Sequence, residues 1–212
     1  MRLHFILGAI LSSIIIAGRV EASLLITEIL ADPPTGLAGD ANHDGTRSSS
    51  GDEFVELFNP DDLTVDLTGW TLADAAEIRH TFAAGVVLDP YQYLVVFGAG
   101  TPDLPGIQAL TGSTGSLSLN NSADSVSLFN AAGVLIDSVT YDDLAAQDQS
   151  IVRAPGGNGE FVLHTDVSPA IFSPGEGPVP QQPTAAVPEP VSAASMFLGL
   201  SLLRAARPKS RH

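Results

Sequence analysis

The sequence predicts an all-β fold, an antiparallel sandwich or barrel of about eight or nine short strands. Three observations predict it. Short apolar and β-branched segments recur, turn residues follow them about every 8 to 15 residues, and no segment has the length and periodicity of a long helix. No internal repeat is present, which argues against solenoids and propellers.

The expected strands follow one another between residues 24 and 163. Leu24 to Leu30 is a continuous apolar and β-branched run, and Tyr93 to Phe97 reads as a buried strand. The other expected strands are Glu53 to Phe58, Thr64 to Leu72, Ser125 to Phe129, Val134 to Tyr141, Ser150 to Arg153 and Phe161 to Leu163. Trp70, the only tryptophan, is expected in the core, and His80 on the surface of a strand.

Charge is concentrated in the middle of the chain, and it is acidic. The formal net charge is −15, but only Arg47, Arg79 and Arg153 lie between residues 23 and 190, where 23 of the 24 acidic residues lie. This part therefore carries −20, which argues against sequence-independent nucleic-acid binding; solvation alone is the simplest role for the charge. The chain has no Cys, which excludes disulfides, thiolate nucleophiles and Cys-based zinc sites.

Residues 1–22 have the pattern of a secretory signal peptide. Arg2 gives a polar start, and the run from Phe5 to Ala17 is nearly all apolar. The expected cleavage lies between Ala22 and Ser23. A retained membrane anchor is the alternative, for which this run is short of the roughly 20 residues that a span needs.

The C-terminus has a second tripartite pattern. A Pro-Glu-Pro motif comes first, an apolar stretch follows at residues 191–203, and basic residues close the chain. The motif consists of Val187, Pro188, Glu189 and Pro190. This ending resembles the PEP-CTERM sorting signal, which implies recognition by an exosortase-type membrane protease, transient membrane contact through residues 191–203, and delivery to the cell surface or extracellular matrix of a Gram-negative-type bacterium. A plain C-terminal anchor or a sticky tail is the alternative.

The body between these ends resembles the lamin-tail domain, whose fold is an immunoglobulin-like antiparallel β-sandwich. The segments that carry the resemblance are Ile26 to Ile29, Asp52 to Pro60, Leu67 to Leu72, Leu117 to Leu119, Asp124 to Phe129, Gly133 to Tyr141, Gln149 to Arg153 and Ser173 to Gly175. The resulting domain organisation is a signal peptide at 1–22, the lamin-tail-like domain at 23–173, a Pro- and Gly-rich linker at 174–186 and the sorting signal at 187–212. The linker is expected to act as an extended stalk.

A loop rich in Asp and Asn is the sharpest local signal. Hard cations such as Ca²⁺ need six to eight oxygen ligands, and the segment from Gly39 to Thr46 offers oxygens at alternate positions before a Gly. The predicted ligands are Asp40, Asn42, Asp44, the Thr46 carbonyl, Asp52 and Glu53. The loop resembles the calcium loops of EF-hands and dockerins, although Gly51 stands where a bidentate Glu belongs. The alternative is an Asx-rich loop that binds no metal.

Signs of catalysis are few, and we expect no catalytic residues. The chain has no G-x-S-x-G motif, and His43, His80 and His164 are isolated, without the spacing of a zinc site. A secreted hydrolase that uses His164 or Asp166 is kept as a minor hypothesis.

Two functions therefore lead. The first is a non-catalytic surface or matrix protein whose sandwich contacts an extracellular protein or polysaccharide. The second is a calcium-dependent module that binds a carbohydrate or a protein. Calcium chelation separates them, because only the second should lose its partner.

Overall fold

Alternation of apolar residues builds twelve short strands in the part of the chain that the computed structural model describes, residues 23–154 and 159–176. The strands are β1 (Leu25–Leu30), β2 (Phe54–Phe58), β3 (Val65–Asp66), β4 (Thr71–Ala73), β5 (Ile78–Thr81), β6 (Val87–Leu88), β7 (Tyr93–Phe97), β8 (Gln108–Thr111), β9 (Asp124–Phe129), β10 (Leu135–Tyr141), β11 (Ile151–Ala154) and β12 (Glu160–Leu163). Three 3₁₀ turns lie at Gly36–Gly39, Asp143–Ala145 and His164–Asp166. No helix in these residues is long and apolar enough to cross a membrane.

Two facing sheets and a small ribbon hold these strands. The larger sheet has the order β12-β11-β1-β2-β7-β8, the second sheet has the order β10-β9-β4-β5, and β3 pairs with β6. The expected all-β sandwich is confirmed. Every pair is antiparallel except β7 with β8, which runs parallel.

The six-stranded sheet is covered on both faces. Its inner face packs against the second sheet through residues such as Val55, which belongs to the main apolar core, together with Trp70 as expected. Its outer face carries a second cluster of Leu30, Ala41, Phe54, Val95 and Phe97. Because adjacent strand residues point to opposite faces, the fully buried strands β2 and β7 must be covered on both sides.

The strand expected at Thr64 to Leu72 is two strands. Gly69 between them has a φ of +75°, and the amide of Trp70 donates to the carbonyl of Leu67 at 2.9 Å, which closes a tight turn. Strands β6 and β8 were not expected, because each has four residues or fewer and lacks a long apolar run.

The surface position expected for His80 is wrong. His80 is 5% exposed, its ring packs edge-to-face on Phe82 at 4.5 Å, and its Nδ1 accepts from the amide of Ser113 at 3.2 Å. The segment around residue 113 lies along the outer edge of β5 and buries the imidazole. The local strand pattern could not predict this contact.

Candidate functional site

The predicted calcium loop folds back on itself through its own side chains. The carboxylate of Asp44 accepts from the amide of Thr46 at 2.9 Å, and the Asn42 side-chain oxygen accepts from the amide of Asp44 at 2.9 Å. Asp40 accepts from the amide of Gly45 at 3.0 Å. The Asn42 and Asp44 contacts, each to the amide two residues on, are Asx turns, which form with or without a cation.

Asp52 closes the loop from the far end. Its two carboxylate oxygens accept from the amide of Asn42 at 3.1 Å and from the amide of Ser48 at 2.6 Å. Asp52 and Asn42 are both buried, so the loop is anchored to the start of β2. Four of the predicted ligands, Asp40, Asn42, Asp44 and Asp52, are therefore connected by hydrogen bonds within one loop.

Glu53 belongs to a different environment. Its carboxylate accepts from the amide of Leu119 at 3.3 Å, and burial raises its pKa to about 7. Thr46 is exposed on the loop. Within residues 23–154 and 159–176, no three His, Asp or Glu side chains are grouped so as to hold a metal ion. One oxygen remains unsatisfied, since Oδ1 of Asp40 is buried and has no hydrogen-bond partner.

Sequence reasoning missed a second cluster, a pair of glutamates on the outer face of the large sheet. Glu28 in β1 lies directly opposite Glu56 in β2, and both residues are fully buried. Opposed residues of an antiparallel pair have Cβ atoms about 4.5–5.5 Å apart, so two carboxyl groups share one buried site. Both lie in segments that resemble the lamin-tail domain. The alternation of residues in a strand, however, does not show which residues of another strand lie opposite, or which segment packs over them.

The cover is a C-terminal segment, residues 164–176, which we call the strap. Ser173 donates to Glu28 through its amide at 2.9 Å and its hydroxyl at 3.0 Å, and the amide of Gly175 donates to Glu56 at 2.8 Å. From the sheet itself, Ser150 Oγ donates to Glu28 and Thr27 Oγ1 donates to Glu56, each at 2.6 Å.

Burial dominates the electrostatics of this pair. It raises the pKa of Glu28 above the usual value, against the opposing effect of the Ser150 hydrogen bond. It raises the pKa of Glu56 well above the usual value, and the nearby charge of Glu28 raises it further. Two like charges this close in a dry site disfavour each other, so the pair retains protons that exposed glutamates release.

His164, a residue of the minor hydrolase hypothesis, is in contact with Ser173 beside this pair. His164 Nε2 lies 2.8 Å from Ser173 Oγ, and its Nδ1 faces the carbonyl of Ala170 at 2.8 Å. In an acyl-transfer triad a carboxylate holds Nδ1, whereas here the Glu28 carboxylate lies on the Nε2 side at 3.9 Å.

Backbone donors beside Ser173 are also engaged. The amides of Ser173 and Gly175 already donate to Glu28 and Glu56. They are therefore not free to stabilise an oxyanion. The arrangement binds carboxyl groups, and Asp166, the other residue of that hypothesis, is exposed on the strap.

An open cavity of about 790 Å³ lies beside the strap. Its walls are mainly apolar, with Leu104, Ile107 and Phe172 among them, and His164 and Ser173 add polar groups. Phe172 also packs edge-to-face on Phe54, with ring centroids 6.4 Å apart, which ties the strap to the outer apolar cluster.

The two predicted processing signals fall almost wholly outside the described residues. Outside them lie Ala22 and the motif Val187, Pro188, Glu189 and Pro190. Ser23, the residue expected to become the first of the mature chain, is described. Its backbone nitrogen and hydroxyl donate to the carboxylate of Asp61 at 3.1 and 2.9 Å.

The comparisons with known proteins agree with this architecture. The sequence model of the Lamin Tail Domain family matches residues 19–143, more than half of the 212-residue chain. The match ends before β11, β12 and the strap, although β11 pairs with β1 at the centre of the large sheet. The comparison with curated proteins finds no match.

Proposed function

The chain belongs to the lamin tail domain family, and on that premise we propose that it is a non-catalytic, secreted protein of the cell surface or extracellular matrix, whose sandwich contacts a protein or a polysaccharide. The observation that carries the proposal is the order of the parts. A signal-peptide pattern precedes the sandwich, and a Pro-rich segment and a PEP-CTERM-like ending follow it.

The acidic charge of the body argues against nucleic acid as the partner. The described residues contain no Lys, and each of their three Arg side chains already has acceptors: Pro33 and Pro34 for Arg47, Asp74 and Glu77 for Arg79, and Asp137 and Ile26 for Arg153. A body with excess carboxylates and engaged cations repels phosphate backbones and stays soluble.

The proposed route to the surface uses both ends. A signal peptidase cuts between Ala22 and Ser23, and an exosortase-type protease recognises the motif from Val187 to Pro190. Residues 191–203 contact the membrane transiently, and the basic tail keeps the C-terminus on the cytoplasmic side until processing.

Fractionation of the native host, followed by intact-mass and terminal-peptide analysis, tests this route. We expect a surface or extracellular species that starts at Ser23 and ends near Pro190. A species in the inner membrane that retains residues 204–212 would contradict the sorting proposal and leave a membrane-tethered domain. A species that retains residues 1–22 would contradict signal-peptide cleavage.

A calcium-dependent binding module is the second candidate, and the Asp40 loop favours it. Asp40 Oδ1 is buried without a partner, close in sequence to Asn42 and Asp44, whose side chains shape the same loop. Oxygen ligands of this kind suit Ca²⁺ in extracellular modules with a Kd of about 10⁻⁴ to 10⁻³ M.

Calorimetric titration of the purified protein with Ca²⁺ tests the second candidate. We expect binding in the millimolar range that Asp40→Asn weakens and that Asp62→Asn, on the exposed turn after β2, leaves unchanged. Absence of binding heat up to about 10 mM Ca²⁺, well above that Kd range, would remove this candidate and leave the first.

A further inference from the structure

The strap is hydrogen-bonded to two neighbouring ionisable groups, the carboxyls of Glu28 and Glu56. This distinguishes it from an ordinary surface loop. Glu28 and Glu56 receive five hydrogen bonds from the described residues, and three of these come from Ser173 and Gly175. In the sequence, Ser173 lies 145 positions from Glu28, and Gly175 lies 119 positions from Glu56. The contact therefore closes the fold over a site that the sheet alone would leave open.

We propose that residues 164–176 form a pH-operated strap, closed over Glu28 and Glu56 in acidic and neutral solution and released as the pH rises. The closed state keeps water from two opposed carboxyl groups. Opening lets water solvate both, so the open state tolerates two negative charges and the closed state does not.

The direction follows from proton linkage. In the closed strap, burial holds the pKa of both glutamates above the ordinary value of 4.5, and solvation in the open state returns them towards it. The open state then binds fewer protons than the closed state above pH 4.5. Opening therefore becomes easier as the pH rises, by about tenfold in its equilibrium constant per pH unit for each proton released.

Two other titratable groups, His164 and Tyr93, lie near the pair. His164 of the strap lies 3.9 Å from Glu28. Burial raises the pKa of Tyr93 in β7, and the negative charges of Glu56 and Glu28 raise it further. From the segment just before β11, the neighbour is the Ser150 hydroxyl, which does not titrate in this range. Arg153 of β11 is bound to Asp137 and to the carbonyl of Ile26.

Strap opening has a structural consequence for the outer face of the sheet. Phe172 packs on Phe54, and the carbonyl of Ile171 accepts from the amide of Ser150 at 2.9 Å. Release breaks both contacts and uncovers the outer apolar cluster, in which Leu30, Phe54 and Phe97 are fully buried while the strap is closed.

Amide hydrogen exchange on the full chain, followed by NMR between pH 5 and 9, tests the proposal. Protection factors, which correct for the intrinsic pH dependence of exchange, report strap opening at the amides of Ser173 and Gly175. We expect them to fall about tenfold per pH unit over part of this range. The amides of Leu67 and Phe82, bonded to Val86 and Trp70 in another part of the fold, serve as references and should lose far less protection.

Isosteric variants identify the titrating groups. Glu56→Gln and Glu28→Gln each remove one ionisation, so the pH slope should become shallower in either variant and flat in the double variant. His164→Gln leaves both glutamates in place, so the slope should persist in this variant.

Three results would overturn the proposal. Protection at Ser173 and Gly175 could be independent of pH in the unmodified chain. Protection at Leu67 and Phe82 could fall in parallel, which would indicate global unfolding. The slope could survive in the double Gln variant and vanish in His164→Gln, which would assign the titration to the histidine.

Discussion

At the scale of single residues, this domain places several ionisable side chains where water cannot reach them. Glu28, Glu53 and Glu56 are all buried, and burial is the largest cause of the raised pKa in each. None has an Arg or Lys as a hydrogen-bond partner among the described residues. Hydroxyl and amide groups are their hydrogen-bond donors. Because their pKa is raised, these carboxyl groups lower the stability of the fold as the pH rises, whereas a salt-bridged acid lowers it as the pH falls.

Glu53 gives the clearest stability prediction, because its pKa is raised to about 7. The folded state holds the proton more tightly than the unfolded state, whose glutamate titrates near 4.5. The contribution of Glu53 to the free energy of unfolding is therefore fully present below pH 4.5. It is lost as the pH rises towards 7, by about 3 kcal/mol in total. Glu53→Gln should accordingly raise the free energy of unfolding at pH 8 and change it little at pH 4.

Urea unfolding at the two pH values measures this effect. Glu160→Gln, on the exposed start of β12, is the matched control and should stay within about 0.5 kcal/mol of the parent at both. Equal effects of Glu53→Gln at pH 4 and pH 8 would contradict the electrostatic explanation.

Tyr141 carries a buried hydroxyl that has no hydrogen-bond partner. An unsatisfied buried polar group costs about 1–3 kcal/mol, so Tyr141→Phe should stabilise the fold by about 1 kcal/mol. Thermal and urea unfolding would show this, with Tyr91→Phe, at a half-buried position, as a control of small effect. A loss of stability in Tyr141→Phe would indicate that the hydroxyl has a partner, such as a buried water.

At the scale of elements, strand β1 is stabilised at an irregularity in its pairing with β2. The register with β2 shifts between Ile26 and Glu28, which leaves Thr27 as the extra residue of a bulge, and the pairing of β1 with β11 starts only at Glu28, so it does not reach Ile26. Asp137 of the opposite sheet accepts the Ile26 amide at 2.8 Å, and Arg153 donates to the Ile26 carbonyl at 2.7 Å. Arg153 also bonds both oxygens of Asp137 at 3.0 Å, so the bulge, the two sheets and β11 are joined at one point.

Removal of the Asp137 carboxylate should therefore be costly. Asp137→Ala leaves the Ile26 amide without its acceptor and the partly buried Arg153 guanidinium without its carboxylate partner, and we expect a loss of about 2–3 kcal/mol in the free energy of unfolding. Denaturant unfolding at pH 7 measures it. Asp62→Ala, at an exposed turn, is the control, and an equally small effect of both substitutions would show that this junction contributes little.

At the scale of the whole molecule, the fold extends beyond the segment that the family model matches. Strand β11 pairs with β1 through Val152 and Ile151, and the strap caps the two glutamates. A chain of residues 23–143 would lack all of this and would leave Glu28 and Glu56 uncovered. It should not unfold cooperatively, whereas residues 23–176 should.

Circular dichroism during urea unfolding distinguishes the two chains, because a cooperative transition with a defined m-value marks a packed domain. Addition of residues 144–176 restores one strand pair at the centre of the sheet and a second at its edge. A cooperative transition in the shorter chain would show that β11, β12 and the strap are dispensable for folding.

The expected strands came close to the observed ones where the apolar pattern was long. Tyr93–Phe97 matched in full, and Leu24 to Leu30 and Val134 to Tyr141 each began one residue early. Strand β6 has two residues, and a periodicity of two cannot be read from so short a segment. Among the residues proposed as calcium ligands, Asp40, Asn42 and Asp44 lie in one loop because they are close in sequence, whereas the Glu53 side chain accepts from the amide of Leu119, a contact that the sequence pattern does not indicate.

The sequence by itself determined the class of fold, the placement of Trp70 in the core and the acidic character of the body, because alternation, composition and charge are local properties. The tertiary structure alone decided that Glu28 faces Glu56, that Ser173 and Gly175 cover them, and that β8 runs parallel to β7. Strand periodicity tells which residues share a face. What lies against that face depends on partners more than a hundred residues away, whose positions are set when the sheets pack.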